Sequence, residues 1–369
     1  MPTQSKFRLL VVRLGAMGDI LHALPAVTAL RKLHPEWIID WVVEPKWEPL
    51  LRARDSSRCD TGADGESGDR EAERPSPRQP LVDRILLAPA KQWGKSPLSG
   101  RTIREVRALR RAIREARYDA AIDFQGAVRS AAFGRLAGCR LIGEAEPREG
   151  AARWLFTERI ATRGAHVIEQ DLELAAAIAG DDLQYVAPWL PFDACAEAWA
   201  DELVGSARGG CVVLINPGAG WGAKRWPVER YAAVARRLME RGCRVFVNAG
   251  PGEEPIADVI VAQTDGAATP LAPSLENLIA LTRRTALVIA GDTGPLHLAC
   301  ALGKPVVGIY GPTDPSRNGP FGTRFKVLRH PESRRDHTRR EAPEAGLLTI
   351  QPEEVLAAAK ELLGEEGKR

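Results

Sequence analysis

The chain has 369 residues, of which 44% are hydrophobic and 27% charged, and its formal net charge is +3 at pH 7. These values are close to the average of folded soluble proteins, and the length suits two domains rather than one core. The small net charge excludes nucleic-acid binding through bulk charge, so an anionic partner must meet a local basic patch. No apolar run approaches the ~20 residues of a membrane span, so no transmembrane segment is predicted.

Six cysteines stand at positions 59, 139, 195, 211, 243 and 300, and none of them forms a Cys-x-x-Cys pair or lies near a histidine pair. This pattern predicts neither a zinc site nor a redox motif. We therefore expect a reduced, cytoplasmic chain without a bound metal.

The first half of the chain alternates short apolar runs with segments of helical periodicity. Residues 7–13 predict a strand, 14–19 a glycine-rich turn, and 20–34 an amphipathic helix. Further strands are predicted at 37–43, 81–88, 118–124 and 139–143, and further helices at 101–117, 127–137 and 166–179. The first turn is similar to a dinucleotide-binding motif, but His22 occupies the position of its third glycine, which argues against NAD binding.

Residues 52–80 contain no Val, Ile, Leu, Met, Phe, Trp or Tyr. Such a stretch cannot bury enough apolar surface to offset the entropy that ordering costs. We expect a disordered surface insertion within the first domain, and a lid over the active site is the alternative.

The predicted helix at 101–117 carries a row of arginines opposite its apolar face. The row consists of Arg104, Arg107, Arg111 and Arg114. Such a row is suited to anions, although a solvated helix face explains it as well.

The second half follows a linker with two prolines and a tryptophan at 182–193. Strands are predicted at 211–215, 243–249, 286–290 and 306–310, and helices at 227–241, 255–263, 275–282, 295–302 and 352–363. Strands alternating with helices in both halves predict an α/β chain of two doubly wound domains with parallel sheets. We place these domains at 1–185 and 195–345, with a C-terminal helix in 346–369.

The stretch 291–315 is the most informative part of the sequence. It predicts a buried strand, a Gly-Asp-Thr-Gly turn, a short helix and a second buried strand. In such a step the backbone N–H groups of Thr293, Gly294 and Leu296 point out of the helix N-terminus, where an anion such as phosphate is favoured.

Ligands of parallel sheets bind beyond the carboxyl ends of the strands, here the loops 14–19, 125–129, 216–226, 250–254, 291–295 and 311–315. Their chemically capable side chains are Asp19, Lys224, Glu253, Glu254, Asp292 and His297. The alternatives are that Asp292 caps a helix and His297 packs in the core. No Asp-x-Asp pair is present to hold a metal on a diphosphate, so Lys224 and helix N-termini are expected to neutralise a leaving group.

Several segments resemble one family when they are taken together. They are GAMGDILHALPA (15–26), DWVVE (40–44), DFQGAVRSA (123–131), KRWP (224–227) and the 291–315 stretch. They resemble the lipopolysaccharide heptosyltransferases, which form glycosyltransferase family nine. The first two segments are most similar to the heptosyltransferase I type.

The resemblance implies the GT-B fold, in which an N-terminal acceptor-binding and a C-terminal donor-binding Rossmann-like domain face each other. It implies inverting transfer of L-glycero-D-manno-heptose from ADP-heptose to the Kdo region of lipid A, without a metal or other cofactor. Such an enzyme is cytoplasmic and peripherally associated with the inner face of the inner membrane, where Kdo-lipid A is presented.

The resemblance also implies roles for individual residues. Asp19 matches the catalytic aspartate. The positions that match donor-binding residues are Lys224, Glu253 or Glu254, Asp292, Thr293, Gly294 and His297. The acceptor is expected at Gly18, Gln125, Arg101 and Arg129.

Other functions remain open from the sequence alone. They are the heptosyltransferase II type, a nucleotide-sugar epimerase of the same architecture, and a sugar-nucleotide binding protein without catalysis. The arginine row favours a transferase, because only a transferase has to hold a polyanionic acceptor.

Overall fold

The structure is a computed structural model that describes residues 6–52, 80–205, 210–335 and 340–364. The insertion predicted at 52–80 lies outside these ranges except for its two end residues.

Two parallel sheets form the framework. The first sheet consists of Arg8–Val12 (β1), Ile38–Val43 (β2), Arg84–Leu87 (β3), Ala120–Asp123 (β4), Arg140–Glu144 (β5) and Glu158–Ile160 (β6). The second consists of Val212–Asn216 (β7), Arg244–Asn248 (β8), Thr269–Leu271 (β9), Leu287–Gly291 (β10), Val306–Tyr310 (β11) and Phe325–Arg329 (β12). Their strand orders are β3-β2-β1-β4-β5-β6 and β12-β11-β10-β7-β8-β9. The predicted pair of doubly wound parallel sheets is confirmed.

Helices cover both sheets. Those of the first half are Met17–Leu33 (α1), Ala90–Lys95 (α2), Gly100–Glu115 (α3), Val128–Leu136 (α4) and Val167–Ala179 (α5). Those of the second half are Ala194–Val204 (α6), Val228–Met239 (α7), Glu254–Gln263 (α8), Leu275–Arg284 (α9), Gly294–Ala301 (α10), Pro315–Asn318 (α11), Ala345–Thr349 (α12) and Pro352–Leu363 (α13). None of the helices in the described part of the chain is long and apolar enough to cross a membrane.

The helix α1 differs from its prediction. The helix expected at 20–34 is present, but it begins at Met17 rather than Ile20, and its predicted amphipathic character is wrong because it is buried on nearly every side. It contacts α5 in the first half and α10 in the second. Because both neighbours cover apolar surface, its ILHALPAVTAL sequence has no broad solvent face.

The two halves share one hydrophobic core. A single cluster of buried side chains extends from Leu9 and Leu24 of the first half to Leu214 and Leu298 of the second. The connection between the halves is fixed to both, because the Trp189 N–H donates to Thr28 in α1 while Arg283 of α9 donates to the Leu190 and Pro191 carbonyls. The halves therefore meet through packed side chains.

The expectation of a reduced chain is wrong, because Cys195, Cys211 and Cys243 are disulfide-bonded. Cys211 and Cys243 form a disulfide, with their Cα atoms 4.5 Å apart. They precede β7 and β8, which are adjacent parallel strands, so residues 32 positions apart in sequence are brought together. Cys139 and Cys300 are free.

Candidate active site

The carboxyl ends of the two sheets face each other across the helix N-termini of α1 and α10. A Cβ atom on Gly18 of α1 would lie 2.7 Å from His297 Cδ2, and one on Gly294 of α10 would lie 2.6 Å from Met17 Sδ. Only glycine permits this approach at both places. Gly18, predicted to bind the acceptor, thus lies against the second half.

A cleft of about 750 Å³ opens at the carboxyl ends of β1, β2 and β4. Asp19, Gln125 and Arg129 line it as predicted, together with Glu44, Trp47, Lys91, Arg148 and Glu149. Arg101 is not part of the cleft: its side chain is 79% exposed and its Nε lies 2.8 Å from a Glu105 oxygen. The acceptor contact expected at Arg101 stays a prediction, and it would have to lie outside this cleft.

Asp19 is the third residue of α1 and uses both carboxylate oxygens. Its Oδ2 accepts the Ala16 N–H at 2.9 Å, and its Oδ1 lies 3.3 Å from Nη2 of the buried Arg13. Its side chain is 36% exposed and borders the cleft. Asp19 therefore caps the helix and also presents a carboxylate to the cleft.

Gln125 joins two turns at the floor of the cleft. Its amide oxygen accepts the Leu14 N–H at 2.9 Å, so a ligand would meet its NH₂ group. Asp123 holds this turn by accepting the Gln125 N–H at 2.8 Å and the Ser130 hydroxyl at 2.8 Å. Burial raises the pKa of Asp123 to about 6.

A second buried carboxyl group lies close to Asp19. Burial raises the pKa of Asp171 in α5 to about 8, and the negative charges of Asp19 and Glu144 add to the rise that the Arg13 charge opposes. Among the described residues its Oδ2 has no hydrogen-bond partner. Asp171 was missed from the sequence, because it stands in an ordinary helical pattern.

The second half contributes a buried cluster of three side chains. Lys224 Nζ forms an ion pair with Asp292 Oδ2, and Asp292 Oδ1 lies 3.2 Å from His297 Nε2. Burial opposes the ionisation of Asp292, but the His297 hydrogen bond and the Lys224 charge outweigh it and lower its pKa below the ordinary value. Thr293, not Asp292, is the N-cap of α10. The helix-capping role for Asp292 is thus wrong, whereas His297 is buried as the packing alternative expects and also forms a hydrogen bond with Asp292.

Thr293 anchors the neighbouring turn. Its hydroxyl lies 3.4 Å from Nδ2 of Asn216, whose Oδ1 accepts from Asn248 Nδ2 at 2.5 Å. These asparagines end β7 and β8 and were missed from the sequence. Of the three N–H groups predicted to face an anion, that of Leu296 is already bonded to the Thr293 carbonyl at 3.1 Å.

The structure distinguishes Glu253 from Glu254. The Glu253 carboxylate accepts the Gly250 N–H at 3.0 Å and lies against Gly218 in the loop after β7. Glu254 begins α8 and is exposed. Glu253 is therefore the residue of the two that faces the site. Within the described ranges, no three His, Cys, Asp or Glu side chains are grouped to hold a metal ion.

Two facing doubly wound sheets with polar clusters at their adjoining carboxyl edges define the GT-B class of fold. The model of the family described as Glycosyltransferase family 9 (heptosyltransferase) matches residues 106–347. The chain belongs to this family and is a glycosyltransferase.

Relatives of both heptosyltransferase types are similar to the chain. Lipopolysaccharide heptosyltransferase 1 of Escherichia coli K12 is 30% identical over 88% of this chain and 94% of its own length. Lipopolysaccharide heptosyltransferase 2 of Salmonella typhimurium is 26% identical over 98% of this chain and 99% of its own. The solved E. coli heptosyltransferase WaaC with ADP has a TM-score of 0.73 at 27% identity, covering 96% of this chain and 100% of that one.

We expect Lys224→Met to lower the free energy of unfolding by about 3 kcal/mol at neutral pH, because it leaves the Asp292 carboxylate buried without its cation. The pKa of Asp292 is lower in the folded chain than in the unfolded one, so its stabilisation is complete above ~pH 4 and is lost as the pH falls through the folded-state pKa. The difference between wild type and variant should therefore shrink at ~pH 3, which urea unfolding at the two pH values measures.

The matched control is Lys326→Met, whose ion pair with Glu361 is largely open to solvent. This control should change the free energy of unfolding by less than ~0.5 kcal/mol. A Lys224→Met loss that is absent, or equal at both pH values, would contradict the charge assignment.

Proposed function

We propose that the chain transfers L-glycero-D-manno-heptose from ADP-heptose to the Kdo region of lipid A, with inversion, in lipopolysaccharide inner-core synthesis. One observation carries the proposal: the Asp19 carboxylate borders a cleft of the first half, and the adjacent Gly18 lies against His297 of the Lys224–Asp292–His297 cluster of the second half. The relatives named lipopolysaccharide heptosyltransferase 1 support the acceptor, and a solved WaaC with ADP-2-deoxy-2-fluoro heptose, 26% identical, supports the donor.

The donor occupies the second half in this proposal. Its diphosphate meets Lys224 and the N-terminus of α10 at Thr293 and Gly294, where the helix dipole favours negative charge. Glu253 contacts the nucleoside, while Asp292 accepts hydrogen bonds from the heptose hydroxyl groups. Lys224 already forms an ion pair with Asp292. When the diphosphate binds, the positive charge of Lys224 is therefore shared between Asp292 and the phosphate groups.

The acceptor occupies the cleft of the first half. Lys91, Arg129 and Arg148 give it three cations for a carboxylate or phosphate, and Trp47 gives it an aromatic face for a sugar ring. The volume of about 750 Å³ is large enough for a sugar-sized group.

Inversion requires a base on the acceptor side of the anomeric carbon, opposite the departing ADP. Asp19 is placed to take the acceptor hydroxyl proton, and Arg13 holds one of its oxygens. Lys224 neutralises the charge that develops on the leaving phosphate. Because that charge is met by a side chain, we propose that transfer needs no metal ion or other cofactor.

Mass analysis of the products formed from ADP-heptose and Kdo-lipid A in EDTA tests this function. We expect the acceptor to gain one heptose unit while ADP is released, at the rate measured without EDTA. Gain only on an acceptor that already carries heptose would indicate the heptosyltransferase II type. An isomerised donor would indicate an epimerase, an unchanged donor a binding protein, and activity restored only by magnesium or manganese a metal requirement.

We expect Asp19→Asn to lower turnover by ~10²–10⁴-fold, because the amide cannot take up the acceptor proton. The amide oxygen still accepts the Ala16 N–H, so stability and ADP-heptose affinity should stay near wild type. Asp119→Asn is the control, since this carboxylate accepts the Arg8 N–H at the opposite edge of the sheet. Wild-type turnover in Asp19→Asn would remove Asp19 as the base.

The proposal places the enzyme in the cytoplasm, peripherally on the inner face of the inner membrane. The arginine row of α3 is exposed along its length, as predicted. Arg107→Glu with Arg111→Glu should raise the acceptor Michaelis constant on anionic vesicles at low salt and leave that of the donor unchanged. Charge reversal at Arg236 and Arg237 of α7 is the control. Unchanged acceptor kinetics would make the row a solvated face.

A further inference from the structure

A hydrogen bond between two buried histidines crosses the interface between the halves. His22 lies on α1 one turn after Asp19, and its Nε2 is 3.1 Å from Nδ1 of His297 on α10. His297 Nε2 is in turn 3.2 Å from Asp292 Oδ1. The His166 ring stands edge-on to His22 at a centroid distance of 5.7 Å. The helix that carries Asp19 is thus connected to the Lys224–Asp292 pair through two imidazoles.

The direction of each hydrogen bond follows from the charges. Asp292 is ionised and can only accept, so His297 Nε2 carries a hydrogen and donates it. Burial, followed by the electrostatic effects of His297, His166 and Arg13, lowers the pKa of His22 well below its ordinary value, against the opposing effect of Asp292. The arrangement that satisfies both hydrogen bonds with uncharged rings has His297 Nδ1 accepting from His22 Nε2. In this arrangement both rings are Nε2–H tautomers.

We propose that His22 is a positioning residue for transfer, which fixes His297 and thereby the Asp292 carboxylate that faces the donor sugar. The inference rests on the proposed function. Without the His22 hydrogen bond, Nδ1 of His297 is a buried acceptor without a donor, and nothing holds the imidazole plane against rotation. Asp292 would keep its ion pair with Lys224, but its hydrogen bond to His297 would no longer be held in one geometry.

The same bond couples the donor cluster to the base. Asp19 and His22 are three residues apart on one helix, and at Gly18 and Gly294 that helix and α10 approach too closely to admit a Cβ atom. A shift of α1 therefore moves the base and, through His297, the carboxylate that orients the donor. We expect the loss of this coupling to appear in turnover and donor binding rather than in acceptor binding.

Three variants test the proposal in the full chain. His22→Leu removes the donor group, His22→Gln keeps a side-chain N–H of similar reach, and His34→Gln makes the same change at the far end of α1, where the ring stacks on Trp37. We expect His22→Leu to lower kcat by ~10- to 100-fold and to raise the ADP-heptose KM, with the acceptor KM unchanged. His22→Gln should recover most of the lost activity, and His34→Gln should equal wild type.

Two kinetic results would overturn the proposal. One is wild-type kinetics in His22→Leu. The other is an equal loss in the Leu and Gln variants while their unfolding midpoints match wild type, since a side chain that only fills space is not rescued by an N–H group.

Nitrogen-15 NMR of the histidines tests whether His22 fixes His297, even if the wild type transfers no heptose. In wild type at neutral pH, His22 and His297 should both appear as neutral Nε2–H tautomers. His22→Gln should preserve the His297 tautomer signal, whereas His22→Leu should broaden or shift it. A His297 that carries its hydrogen on Nδ1, or that does not respond to His22→Leu, would contradict the inference. Failure of the transfer assay alone would count against the proposed function.

Discussion

The buried ion pair between Lys224 and Asp292 is the interaction on which the site depends. A carboxylate this deeply buried costs several kcal/mol unless a cation and hydrogen bonds compensate it. Lys224 supplies the cation, and His297 supplies the hydrogen bond. Because His297 is itself bonded to His22, a chain of hydrogen bonds connects this ion pair to α1 of the first half. The compensation of the buried Asp292 carboxylate and the packing of the two halves are therefore linked.

The packing of α1 makes this contact possible. Because α1 carries apolar side chains on nearly all sides, both halves must pack against it, and the shared hydrophobic core does so. Glycines at 18 and 294 allow the helix N-termini of α1 and α10 to approach within side-chain contact. The result is that the helix carrying the first-half carboxylate Asp19 is packed against the helix carrying His297 of the second-half cluster, which is the kind of juxtaposition that the proposed group transfer needs.

The sequence predicted the parts of this molecule that depend on local pattern. The β11 strand and the α13 helix have the predicted bounds, because both carry an uninterrupted apolar or amphipathic signal. The three-residue strands β6 and β9 and the half-buried β12 were missed, since edge strands carry little apolar signal. Motif position selected Asp19, Lys224 and Asp292, which the fold brings to the carboxyl ends of the two sheets. It could not reveal the bond of His22 to His297, the buried Asp171 or the distance of Arg101 from the cleft, because these depend on contacts between segments far apart in sequence.

A crystal structure of the chain with bound ADP tests most directly whether the second half binds the donor and the first half is left for the acceptor. The account predicts that ADP lies at the carboxyl edge of the second sheet, with its diphosphate touching Lys224 and the N-terminus of α10 and its nucleoside near Glu253. The cleft beside Asp19 should remain open for the acceptor. ADP bound in the first-half cleft, beside Asp19 and Arg129, would contradict the account.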